Sequence, residues 1–172
     1  MNYNIHPIIV HFPVAMLFVY SIIKILPLKR WFHTIAWRQI RAAFLVVGVG
    51  GAMLALNTGE VAEHLFRGNH KLVEAHSTFG AISLWLYLIL LVGEIALYSA
   101  PKIISFKPYA IRIKKVLTVV AQILTNPILS KIIAFIALVA IGMTGLLGGV
   151  IVYGVSVDPL APTILKLLGI VL

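Results

Sequence analysis

Apolar residues run along the chain in four long stretches separated by short polar ones. The stretches cover residues 7–26, 40–57, 76–98 and 127–153, and each holds the roughly twenty residues that a helix needs to cross a bilayer. The fourth is the longest, which predicts a tilt or a projection beyond the hydrocarbon. Between the third and fourth, residues 107–124 place Arg112, Lys115 and Gln122 on one stripe and Ile113, Val116, Val120 and Leu124 on another. That is the pattern of a basic amphipathic helix lying on the inner leaflet. Thr125-Asn126-Pro127 then reads as an N-cap followed by proline at the first helical position. Asp158-Pro159 breaks the chain after the fourth stretch, and residues 160–172 are too short to span. They are expected to lie on the outer surface or pack against it. The predicted fold is all-α: an integral membrane four-helix bundle, as a single domain over residues 1–172.

Composition supports this reading. Hydrophobic residues make up 61% of the chain and charged residues 11%, too little polar surface for a domain of 172 residues in water. The net charge of +9 follows membrane topology rather than nucleic-acid binding, because the basic residues cluster between apolar stretches. Lys24, Lys29, Arg30, Arg38 and Arg41 flank the first connection, and Lys102, Lys107, Arg112, Lys114, Lys115 and Lys131 flank the third. The second connection, residues 58–75, has only Arg67 and Lys71. Positive charge stays inside, so both termini and the second connection are expected outside a plasma or inner membrane. The first stretch has no basic residue before it and no A-x-A pattern after it, so it is expected to remain as a span rather than be removed as a signal peptide.

There is no cysteine, which excludes disulfides, thiolate zinc sites, iron–sulfur clusters and covalent haem attachment within the chain. Non-covalent haem and His/carboxylate metal sites stay open. In the expected topology His6, His11, His64, His70 and His76 lie outside with Glu60, Glu63, Glu74 and Asp158, and only His33 lies inside. His11 and His76 fall at similar shallow depths in the first and third spans. His76, Gly80, Ser83, Tyr87 and Glu94 share one helical face, and His11, Ala15, Phe18 and Ile22 share another. A polar stripe in lipid turns toward the protein interior, so these two faces are expected to meet and bring His11 to His76. Two imidazoles from different helices can ligate the iron of haem b axially, with Arg67 and Lys71 near the propionates. The same spacing suits histidines that only hydrogen-bond backbone freed by Pro13, or each other. His6 lies about 140° from His11 on a continuous helix and reads as a cap or interfacial residue.

Other features are less specific. Gly48, Gly50 and Gly51, and Gly142, Gly145, Gly148 and Gly149, suit close helix packing before they suit a flat tetrapyrrole. The alternation of His-bearing and Gly-bearing helices hints at a duplicated hairpin. Glu60, Glu63 and His64 form an alternative metal set, although exposed loops carry such residues for solvation alone. His70 and Glu74 are spaced i, i+4 with the same ambiguity. Glu94 is expected to snorkel or to pair with Lys102 or Arg41. No nucleophile–base arrangement, phosphate loop or H-E-x-x-H is present, so an electron-transfer or binding domain is favoured over a stand-alone enzyme.

The opening run His6-Pro7-Ile8-Ile9-Val10-His11-Phe12-Pro13-Val14-Ala15 resembles the bacterial membrane family catalogued as domain of unknown function twenty-two thirty-one. Thr58-Gly59, His76 and Gly148-Gly149-x-x-Val152-Tyr153 match further pieces in the same order. The resemblance implies a four-helix membrane domain in a redox setting, with His6, His11 and His76 as its marked positions. The chain departs from the family after Tyr153, where Gly154-Val155-Ser156-Val157 lacks the histidine of the family's run. The leading expectation is therefore a haem b domain passing electrons near the outer face to a periplasmic or outer-face redox protein. The rivals are a cofactor-free subunit of a larger membrane complex and an oligomeric small-molecule, proton or metal-ion transporter. A homo-oligomer is compatible with each.

Overall fold

The computed structural model describes residues 5–65, 68–102 and 108–170. These form six α-helices: α1 (His6–Ile25), α2 (Trp37–Leu65), α3 (His70–Ser99), α4 (Pro108–Leu124), α5 (Pro127–Tyr153) and α6 (Ala161–Leu167). No strand occurs among the described residues. Four helices, α1, α2, α3 and α5, are long and apolar enough to cross a membrane, the build of a multi-pass membrane protein. Large apolar side chains such as Ile8, Trp85 and Ile128 are more than half exposed on their outer surfaces. Such a surface suits lipid and would aggregate in water.

Caps decide where two helices begin. The Asn69 side chain accepts from the Lys71 and Leu72 backbone N–H groups, so α3 starts six residues before the apolar stretch that announces it. The Asn126 side chain accepts from Ile128 and Leu129 with Pro127 next to it, as the sequence predicts. The second connection is shorter than the sequence suggests. α2 continues through Thr58 to Leu65, because Thr58-Gly59-Glu60-Val61-Ala62-Glu63 contains no proline and falling hydropathy marks an exit from lipid, not the end of a helix.

α1 packs on α2, α3 on α5, and contacts of α1 with α5 and of α2 with α3 close the ring. Glycines set the first contact. A Cβ at Gly48 would stand 2.6 Å from Leu17 Cδ2, and one at Gly51 would stand 3.1 Å from Pro13 Cβ. α1 runs without a break through Pro13, which is buried against that glycine. Leu17, Leu45, Val49, Leu84, Leu90, Ala134, Ala137 and Ile141 fill the middle. Toward the end where α3 starts, Leu72, Leu147 and Val150 pack with Ala161 and Leu165 of α6, so the tail does pack on the helices.

α4 joins the other helices through small residues. It packs on α3, with Ala110 and Ala121 buried and Leu124 Cβ 2.8 Å from where a Cβ on Gly93 would stand. Ile113 and Val116 of the expected apolar stripe are exposed, as residues turned to a leaflet would be. Small residues allow the closer approach, and the larger ones are left for lipid.

Gly48→Ala is expected to lower the thermal unfolding temperature in detergent, since an extra methyl in a packed interface costs about 1–3 kcal/mol. Gly50→Ala meets nothing within 4 Å and is expected to be neutral or stabilising. Equal losses in both variants would show that Gly48 does not set the α1–α2 distance.

Candidate histidine site

His6, not His11, stands against His76. The two ring centroids are 6.4 Å apart with the planes at 90°. His6 opens α1, and steps of seven, eleven and fourteen residues carry its face to Pro13, Leu17 and Tyr20, all buried. Those steps stay within about 40° of one line. His11 lies on the opposite side with Phe12 and Phe18, exposed, its Nδ1 bonded to the Pro7 carbonyl of its own helix. The expectation that His11 meets His76 is therefore corrected. The mixed stripe through Pro13 and Lys24 faces inward, not the stripe of His11 and Ala15.

Each imidazole is seated against a neighbouring helix. His6 Nδ1 lies 3.0 Å from Thr58 Oγ1 on α2. That hydroxyl gives its own proton to the Ala55 carbonyl at 3.0 Å, so it accepts from the imidazole N–H. His76 Nδ1 donates to the Thr144 carbonyl on α5 at 2.9 Å. Glycines make the seats: a Cβ on Gly59 would be 3.1 Å from His6 Cε1, and one on Gly148 would be 3.0 Å from His76 Cε1. With Nδ1 protonated in both rings, the neutral imidazoles carry their lone pairs on Nε2. Thr144 carries no signal in the sequence, because it contributes a backbone oxygen. The two seats match: histidine on α1 against Thr58-Gly59 of α2, and histidine on α3 against Thr144 and Gly148 of α5.

The remaining predicted residues are spread out. A Cβ on Gly80 would stand an ordinary 3.6 Å from Thr144 Cγ2, so this glycine serves α3–α5 packing. Lys71 is exposed in the first turn of α3, and Arg67 lies outside the described residues. Glu60 and Glu63 are exposed on α2, the side chain of His64 lies outside the described residues, and His70 and Glu74 are exposed on α3. Among the described residues no group of three or more His, Cys, Asp or Glu side chains is placed to hold a metal ion.

The predicted polar stripe of α3 does face inward. Tyr87, fully buried, donates to the Leu17 carbonyl at 3.2 Å and accepts from Ser21 Oγ at 2.8 Å. Glu94 pairs with Lys24 at 3.7 Å. The expected partners stand elsewhere: Lys102 lies over the Tyr98 ring, and Arg41 is a near neighbour without an ion pair to Glu94 among the described residues. Lys24 was placed at the end of its span on charge grounds, yet it is on the buried face of α1. No family model, curated protein or solved structure matches the chain at significant similarity.

Thr58→Val keeps the shape of the His6 seat and removes its oxygen. It is expected to cost about 1–3 kcal/mol, the penalty for leaving a part-buried N–H without its acceptor. Thr58→Ser restores the oxygen and should recover most of the loss. Thermal unfolding of the three proteins in one detergent checks it; identical midpoints would remove Thr58 from the seat.

Proposed function

We propose that the chain is a haem b domain, with His6 and His76 as axial ligands, that passes single electrons near the membrane face where those residues lie. The spacing of the rings carries this reading. Their centroids stand 6.4 Å apart, close enough for His6 and His76 together to hold one group. Thr58 Oγ1 and the Thr144 carbonyl anchor Nδ1 of each ring, which restrains ring rotation. Haem would supply one-electron chemistry, and the chain's residues would set its axial ligation and burial.

Charge asymmetry supports an orientation with this end outside a plasma or inner membrane, both termini on that side, and an outer-face redox protein as partner. Lys71 is exposed at that end and suits a propionate, with Arg67 nearby in sequence. The family resemblance adds His6, Thr58-Gly59, His76 and Gly148, which are the residues of the two seats.

Reduced-minus-oxidised spectra of the protein purified from haem-replete cells provide the test. Low-spin bands that disappear in His6→Ala and in His76→Ala, but persist in His11→Ala, are expected. A colourless parent protein would leave the cofactor-free subunit as the better reading. Loss in His11→Ala with retention in His6→Ala would reject the His6 pairing.

A further inference from the structure

A second polar cluster lies at the opposite end of the helices, about 27 Å along α1 from His6 at 1.5 Å per residue. It contains the Lys24–Glu94 pair, whose side chains are 8% and 11% exposed. Arg41 and Lys131 are the other cations that act on Lys24. Lys24 is buried, Arg41 half-buried and Lys131 exposed, so three cations at graded depth surround one carboxylate. Two more groups converge here, since Glu94 and Arg41 are the charges that act on the Tyr20 hydroxyl. Tyr20 is fully buried, and neither its hydroxyl nor Arg41 Nε has a hydrogen-bond partner among the described residues.

A buried donor without an acceptor costs about 1–3 kcal/mol, and more when it is charged. This cluster leaves two donors in that state beside uncompensated positive charge. Water can accept their hydrogen bonds but cannot offset the charge. An oxyanion does both. Lys24 is in the last turn of α1, Arg41 in the second turn of α2, and Lys131 in the second turn of α5. The cluster is therefore at headgroup depth, with apolar helix surface beside it for acyl chains.

The geometry points to a phosphate-binding site between α1, α2, α3 and α5, in which Arg41 Nε and the Tyr20 hydroxyl donate to phosphate oxygens and Lys24 and Lys131 supply charge. The phosphate is that of an anionic phospholipid headgroup or a free inorganic ion. Both present the same oxygens, and they differ only in the tails.

Tryptophan fluorescence follows thermal unfolding of the full chain, which has three tryptophans. The probes are dioctanoyl phosphatidylglycerol, dioctanoylglycerol with the same tails and no phosphate, and inorganic phosphate, each titrated into protein in a neutral detergent. A saturable rise in midpoint with phosphatidylglycerol and none with dioctanoylglycerol is expected. Inorganic phosphate that matches the lipid at equal concentration identifies a free ion; phosphate that is far weaker identifies the headgroup. Arg41→Gln is expected to weaken the apparent affinity about tenfold and Tyr20→Phe about threefold, as charged and neutral hydrogen bonds are lost. Tyr20→Phe removes a single oxygen and carries the test if Arg41→Gln does not fold. Lys114→Gln/Lys115→Gln on α4 removes more charge than Arg41→Gln outside the cluster and should leave the affinity unchanged. Failure of both phosphates to raise the midpoint, parental affinity in Tyr20→Phe, or an equal loss in the α4 variant would overturn the site.

Discussion

A polar group inside a membrane has no water to turn to, so it must find its partner within the protein. That constraint organises this chain. Several of its interior polar side chains cross to another helix or fold back on a carbonyl. His6 reaches Thr58, His76 reaches the Thr144 carbonyl, and Ser21 reaches Tyr87. Ser83, Ser130 and Thr144 return to carbonyls three or four residues earlier. Each crossing bond ties a particular height on one helix to a particular height on the next. Packing alone does this poorly, because leucine and lipid tails are equally apolar. Glycines at the same levels let the helices approach closely enough for those bonds to form.

The elements were legible in the sequence for the same reason. Four apolar stretches, an asparagine cap before Pro127 and a basic segment between the third and fourth spans correspond to physical requirements at single positions. Helix phase was less legible. His11 with Ala15 looks like an interior face, since small and polar residues mark one. The real interior face carries Pro13, Tyr20, Ser21 and Lys24, residue types that also occur at lipid boundaries and kinks. Their role depends on Gly51, Tyr87 and Glu94 standing opposite, which no property of α1 reveals. Thr144 was invisible because the group that matters is its carbonyl.

The two ends of the molecule solve the constraint differently. At the histidine end the polar groups are neutral and seated on Nδ1. At the other end they are charged, and one ion pair does not exhaust the donors. Breaking a buried pair leaves an uncompensated charge at a cost of about 3–5 kcal/mol, which makes Lys24 and Glu94 depend strongly on each other. Between the ends, Leu17, Leu45 and Val49 pack with Tyr87, whose hydroxyl bonds to the Leu17 carbonyl and to Ser21.

The matching seats also limit how anything between the histidines is held. His6 is fixed to α2 and His76 to α5, so the ring separation is the separation of the α1–α2 pair from the α3–α5 pair. The α1–α5 and α2–α3 packing joins those pairs, with the Tyr87 bonds to Leu17 and Ser21 and the Lys24–Glu94 pair linking α1 to α3. A group held between the rings would therefore act as a clamp on the interface, and its loss would let the pairs shift without breaking either seat. Substitutions inside a seat and substitutions between the pairs should then have distinct effects. The first kind disturbs one ring's orientation. The second changes the distance between two rings that each remain correctly held.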